Sequence, residues 1–154
     1  MNQHPNPFPI APLRLTLRSA GLAFPGYAGS LWHGGLGMML ERHFPASFRL
    51  LYGGRDDARL YALGAPAGER FRPGSLLTLR LNLFGDACQH LLACTQAIAR
   101  LGESGIDPAG RFRLEAASVL LPDGEAPYFS AADGLLQPPP STDFADWQIG
   151  RAHV

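Results

Sequence analysis

The chain has 154 residues, 46% hydrophobic and 17% charged, which is one domain's length with enough apolar surface for a core and excludes disorder over most of its span. Thirteen basic residues balance thirteen acidic ones, so total charge gives no electrostatic footprint of nucleic-acid binding. No stretch approaches the ~18 unbroken apolar residues of a membrane span, and the N-terminus, "MNQHPNPFPIAPLR", lacks the charged-then-apolar order of a signal peptide, so the chain reads as cytoplasmic with no membrane partner.

Ile10 to Ala20, "IAPLRLTLRSA", alternates Leu13, Leu15 and Leu17 against Arg14, Thr16 and Arg18. That period of two predicts a half-buried strand with leucines inward and arginines outward. "GLAFPGYA", from Gly21 to Ala28, reads as a loop with a Pro-Gly turn. A helix follows over about Ser30 to His43. Phe48 to Asp57 is ambiguous and ends in the turn "GGRDD". Ala58 to Leu63 reads as a short strand, "GAPAGERFRPG" as loop, and Ser75 to Phe84 as the best strand in the chain. The clearest helix comes next, with Asp86 as its N-cap, Ala87, Leu91, Thr95, Ile98 and Leu101 on one face, and Gly102 as its C-cap. "GIDPAG" is a glycine-flanked turn. It precedes a strand, Arg111 to Leu121, so it is no nucleotide-phosphate loop.

The order is strand, helix, strand, strand, helix, strand. This predicts an α+β, ferredoxin-like βαββαβ domain over residues 10–121, with an antiparallel sheet and two helices on one face. From residue 122 to 148 the composition turns to proline, glycine and small polar residues, which suits a linker. The last six residues, "IGRAHV", can be encoded by a widely used sequencing adapter. The expectation is that 149–154 are an artefact, that Arg151 and His153 carry no biology, and that a second domain is missing beyond the linker.

Cys88 and Cys94 fall on one predicted helix, about 9 Å apart along its axis and on different faces. They cannot bridge without unwinding it, and no histidine stands at ligand spacing, so they read as buried thiols and no metal site is expected. Every basic side chain apart from histidine is arginine, and lysine is absent. A GC-rich genome explains this. Guanidinium forks also suit phosphates and stacked bases better than ammonium does.

"FPGYAGSLWHGGLGMMLER" resembles the first helix of RAMP-superfamily CRISPR proteins, and within them the repeat-processing endoribonucleases that mature CRISPR RNA. "LTLRLNLFGDACQHLLACTQAIARLGESGI" looks like their strand, "LFG" turn and second helix. "GIDPAGRFRLEAASV" is similar to their glycine-bounded turn and following strand. The likeness runs roughly from Leu13 to Leu121. It implies two tandem ferredoxin-like domains that bind repeat RNA, with other CRISPR effector subunits as further partners and no cofactor. Members that cut do so without metal, by attack of a ribose 2′-OH on the adjacent phosphate. A histidine on or near the first helix is the base or acid there, helped by cationic or tyrosine side chains. The chain departs from the pattern in having His33 where arginine is usual and Met38 where many members have histidine. These departures leave a non-cutting RNA-binding subunit, or an unrelated ferredoxin-like binding module, as alternatives.

His33, with Tyr27 nearby, is the candidate catalytic residue, because an imidazole can take a 2′-OH proton near neutral pH. A lone helical histidine also serves as a surface or structural residue. His43 lies about 280° round the helix from His33 and is not its partner; a histidine near a helix C-terminus meets the dipole. His90 reads as structural, and His4 lies in the leader. Ser30 and Arg42 on the first helix are RNA-binding candidates, as are Arg14, Arg18, Arg111 and Arg113. The strands carrying those last four are neighbours in ferredoxin topology, so they can line one face as phosphate contacts, or they are simply a solvated strand face. Gly34, Gly35 and Gly37 let the first helix settle close to the sheet or to a phosphate backbone. A bare helical glycine costs roughly 1 kcal/mol against alanine, so the close approach has to be worth that.

Overall fold

The computed structural model describes residues 8–53, 60–135 and the short strand 142–143. The adapter-like tail 149–154, the later part of the 122–148 stretch apart from that strand, and His4 lie outside these residues. The elements run β1 (Pro9–Ala23), α1 (Ala28–His43), α2 (Pro45–Tyr52), β2 (Tyr61–Gly64), β3 (Arg70–Phe71), β4 (Leu76–Phe84), a 3-10 turn (Gly85–His90), α3 (Leu91–Ser104), β5 (Gly110–Leu121), β6 (Gly124–Ser130), β7 (Gly134–Leu135) and β8 (Thr142–Asp143).

The sheet is antiparallel and ordered β2-β4-β1-β5-β6-β7. Its first four strands, with α1 and α3 as crossovers, make the ferredoxin-like order, so the α+β expectation matches the architecture. Alternation explains it. Leu13, Leu15 and Leu17 of β1 and Leu79, Leu81 and Leu83 of β4 are fully buried and join Leu36, Leu40, Ile98 and Leu101 of the helices in one core. Each such side chain contributes about 1.5–3 kcal/mol on leaving water. The arginines in the intervening positions face the other way.

Several expectations are corrected. The ambiguous stretch after Phe44 is a helix, α2, opened by Pro45 at its first turn, so among the described residues three helices rather than two accompany the sheet. β1 runs on to Ala23, and two residues of the expected loop at 64–74 form β3 on its end. The second helix begins as a 3-10 turn. Asp86 makes no side-chain cap, the α-helix starts at Leu91 with His90 at its N-cap, and Gly105 rather than Gly102 ends it. The stretch read as linker is sheet over 124–130: Ala126 lies opposite Val119, and Glu125 opposite Leu120. Its proline and glycine content suggested a linker, but Pro127 occupies a strand position beside a register shift, where a missing N–H is tolerated. β6 is also anchored from inside. The hydroxyl of Tyr128, a fully buried residue, lies 2.7 Å from Thr95 Oγ1 on α3.

Two local devices set the faces. Between Thr16 and Leu17 the β1–β5 register shifts, because Thr16 opposes Ala116 whereas Leu17 opposes Leu114. Glu115 is the extra residue of this bulge, and past it the buried phase of β5 moves from Phe112 and Leu114 to Ala117 and Val119. At the start of β5, Ile106 and Gly110 exchange two 2.7 Å backbone hydrogen bonds. Gly110 has φ 131°, and a Cβ there would stand 2.4 Å from the Gly21 carbonyl oxygen, so only glycine fits.

The glycines of α1 pack against helices rather than against the sheet. A Cβ on Gly35 would lie 2.8 Å from Leu101 of α3, and one on Gly37 would lie 2.8 Å from the Tyr52 ring of α2, whereas Gly34 faces open space. Trp32, on the same helix, is fully buried between Phe24 (ring centroids 5.6 Å apart) and Phe112 (5.2 Å). Its indole N–H has no partner among the described residues, a cost of about 1–3 kcal/mol set against the burial of its rings.

Candidate functional site

The first turns of α1 carry Ser30 and His33 on one face, a helical turn apart. Together with Gly29 and Gly34 they form one wall of a cavity of about 440 Å³ whose other wall is Tyr61, Ala62 and Leu63 of β2. The N-cap of this helix, Tyr27, makes no side-chain cap, and the first turn holds no acidic residue. The cavity therefore lies at the positive end of an uncapped helix dipole.

His33 is held from two directions. The Tyr61 hydroxyl meets its Nδ1 and lies 3.1 Å from its Nε2. The Tyr52 hydroxyl donates to the His33 carbonyl oxygen at 2.7 Å. The three rings pack mutually, with centroids 5.4 Å (His33–Tyr61), 5.1 Å (His33–Tyr52) and 5.2 Å (Tyr52–Tyr61) apart. Burial first, and Tyr61 second, push the Tyr52 hydroxyl far above the ordinary tyrosine range, so it stays a neutral donor. The structure thus brings Ser30 and His33 together. It leaves out Tyr27, which is 55% exposed and does not line the cavity. Arg42 is exposed in the last turn of α1. His43 is beside it, with its ring edge-on to Phe44. His90 Nδ1 is 2.6 Å from the Ser47 hydroxyl and ties the 3-10 turn to α2. Cys94 is buried and its thiol is pushed up to about 12; that of the half-buried Cys88 is pushed up to about 11, in both cases by desolvation. Both cysteines are free.

The uncovered face of the sheet carries the second cluster. Arg14 on β1 stands in register with Arg80 on β4, and Arg18 on β1 with Arg113 on β5. Arg111 is exposed two positions before Arg113. Carboxylates answer part of this charge. Glu115 accepts from Arg18 Nε at 2.5 Å and from an Arg113 terminal nitrogen at 3.0 Å, while Arg14 pairs with Glu125 at 2.9 Å. Arg18 also donates to the Gly74 carbonyl at 2.9 Å. The Glu115 carboxyl is held below its ordinary range, chiefly by Arg18 and then by Arg113. All three ion pairs lie at the surface, where such contacts add little stability.

Sequence reasoning missed Arg80, Tyr52, Tyr61 and the two glutamates. Arg80 was legible in principle, since it holds an outward position in the alternating "LLTLRLNLF". The tyrosines carried no such signal, because α2 and β2 meet α1 only through the tertiary fold. Among the described residues, no three His, Cys, Asp or Glu side chains come together as metal ligands would. Among the same residues, no helix is long and apolar enough to cross a membrane.

No curated protein sequence matches the chain. A chain in the crystal structure of the Csm3–Csm4 subcomplex of the type III-A CRISPR-Cas interference complex is similar at TM-score 0.56 and 13% identity, over 80% of this chain and 82% of that one. At that identity the likeness is one of fold: an antiparallel sheet with helices packed upon it. The family model AF_1859_N, an N-terminal domain, matches residues 57–141, more than half of the chain and across the stretch where β5 continues into β6. The chain belongs to the AF_1859_N N-terminal-domain family.

Proposed function

We propose that the chain is a RAMP-type RNA-binding subunit that holds CRISPR repeat RNA and works with other CRISPR effector subunits in the cytoplasm. The observation that carries this reading is the concentration of five arginines, Arg14, Arg18, Arg80, Arg111 and Arg113, against two glutamates on one sheet face of a chain with zero net charge. A local cationic surface supplies the salt-dependent, phosphate-directed part of nucleic-acid affinity. The fold likeness to a chain of the Csm3–Csm4 subcomplex supports it. The test is filter binding of repeat RNA to the protein over a salt series. Binding that weakens linearly on a log–log plot is expected, and no binding at low salt overturns the reading.

A second reading, metal-independent cleavage of that RNA, is favoured by the cavity holding Ser30 and His33 with Tyr61 at the imidazole. In it the ribose 2′-OH gives up its proton and attacks the adjacent phosphorus, the bond from phosphorus to the 5′-oxygen breaks, and that oxygen takes a proton. His33 would serve one of the two proton transfers, worth about 10²–10⁴-fold in rate. Loss of cutting with RNA binding kept in His33→Ala supports this reading, and undiminished cutting removes it.

A further inference from the structure

The two arginine pairs on the open face are built alike and filled differently. Arg18 and Arg113 face each other across β1 and β5, and the Glu115 carboxylate lies between them, bonded to both. Arg14 and Arg80 face each other in the same way across β1 and β4, with no carboxylate shared between them. Glu125 binds Arg14 alone, and Arg80 has no hydrogen-bond or ion-pair partner among the described residues. Side chains directly opposite on an antiparallel pair have Cβ atoms about 4.5–5.5 Å apart, and like charges in that arrangement repel. The first pair shows that this spacing suits a two-oxygen anion. The second pair leaves the same place open.

We infer that Arg14 and Arg80 together form a phosphodiester-binding subsite, with one phosphate of an RNA strand taking the place that Glu115 takes between Arg18 and Arg113. This rests on the RNA-binding reading and narrows it to an address. The surroundings suit a backbone rather than a base. Arg80 is flanked on β2 by Gly64, which has no side chain, and Arg14 on β5 by Ser118; the next rung carries Thr16 opposite Thr78. These short side chains keep the floor low so that a chain of phosphates can reach the guanidinium forks, and three of them offer hydroxyl donors. Guanidinium binds phosphate through paired N–H groups, which two opposed forks can supply to the two free oxygens of one diester.

The experiment is single-stranded repeat RNA binding by the full chain over a salt series, with Arg14→Gln, Arg80→Gln, the double variant, and Arg100→Gln at an exposed position of α3 as control. Neutralising one phosphate contact lowers the log–log salt slope by about 0.7 for a single strand. Because the phosphate is held only when both forks bond it, loss of either arginine releases it: each single variant is expected to lower the slope by about that amount, and the double variant by little more than either single. Arg100→Gln leaves it unchanged. Competition by inorganic phosphate at equal ionic strength separates a diester subsite from a general anion site: weak competition supports the former and strong competition overturns it. Additive slope losses in the double variant, or an unchanged slope in Arg80→Gln, overturn the inference while leaving RNA binding intact. Absence of RNA binding by the wild type overturns both. Urea midpoints guard against misfolding: removal of one of two like charges is expected to leave the Arg80→Gln midpoint unchanged or raised.

Discussion

The Tyr61 hydroxyl meets Nδ1 of His33 while the two rings lie stacked at 18° to one another, 5.4 Å between centroids. A hydroxyl has one proton, so whichever partner donates sets which imidazole nitrogen carries the proton. Tyr61→Phe keeps the stacked ring and removes the hydroxyl that meets both His33 and Tyr52. The expected outcome is a stability loss of about 0.5–1.5 kcal/mol by urea denaturation. If the full-length protein cuts repeat RNA, single-turnover cleavage should also fall about tenfold with the RNA Kd nearly unchanged, the rate change that ~1.4 kcal/mol supplies. An unaltered cleavage rate would show that Tyr61 only packs.

Alanine substitutions along one turn of α1 should change sign. Gly34 faces open space, so Gly34→Ala gains helix propensity and raises stability by up to about 1 kcal/mol. At Gly37 the added carbon would stand 2.8 Å from the Tyr52 ring, which is itself held by its hydrogen bond to the His33 carbonyl and cannot swing aside cheaply. Gly37→Ala is expected to cost about 1–3 kcal/mol. Urea midpoints of the two variants measured side by side decide it.

The Thr95–Tyr128 contact has a direction. Thr95 Oγ1 donates its only proton to the Leu91 carbonyl at 2.8 Å, so Tyr128 must be the donor to Thr95. Tyr128→Phe removes the donor, leaves the threonine bonded to its helix, and should cost about 1 kcal/mol. Thr95→Val strands a buried phenol and should cost more, about 1–3 kcal/mol. The reverse ranking in chemical denaturation would mean that β6 is not anchored through this hydroxyl.

Acid should expose the role of Glu115. Its folded-state pKa is depressed from 4.5 by hydrogen bonds from Arg18 and then Arg113. A depressed carboxyl contributes stability that is present above the unfolded pKa and is lost as pH falls through the folded one. The stability difference between wild type and Glu115→Gln is therefore expected to be greatest near neutral pH and to close below about 4.5. A difference that stays constant from neutral to acid pH would place the effect elsewhere than in the carboxylate charge.

What the chain discloses before folding follows the physics of its periods. β1 and β4 alternate through their middles and β5 does so up to its bulge at Glu115, and their leucines and arginines fell on the expected faces, so the βαββαβ order and the arginine-bearing surface were both legible. β6 was not, because its evidence is a pairing with β5 and a buried phenol against α3, neither visible in "GEAPYFS" alone. The α1 glycines announced a close approach, but local sequence pointed to the sheet or a phosphate backbone rather than to helices. The answer, Leu101 and Tyr52, comes from elements distant in sequence. Ser30 and His33 could be placed on one helix, but the second wall of their cavity belongs to β2, and no local pattern connects the two.

β1 is the seam of the whole sheet, bonded to β3, β4, β5 and β8, and Leu13 near its start pairs with Val119 near the end of β5. During synthesis β1 therefore leaves the ribosome well before its partner β5 and waits for it. Until β5 has emerged, a fifteen-residue strand of alternating leucines has an open flank. Non-local pairing of this kind slows folding and leaves strand edges exposed to other chains. The yield of the protein in a cell should consequently depend on translation speed and on chaperones that shield nascent strands, more than on the stability of the finished domain.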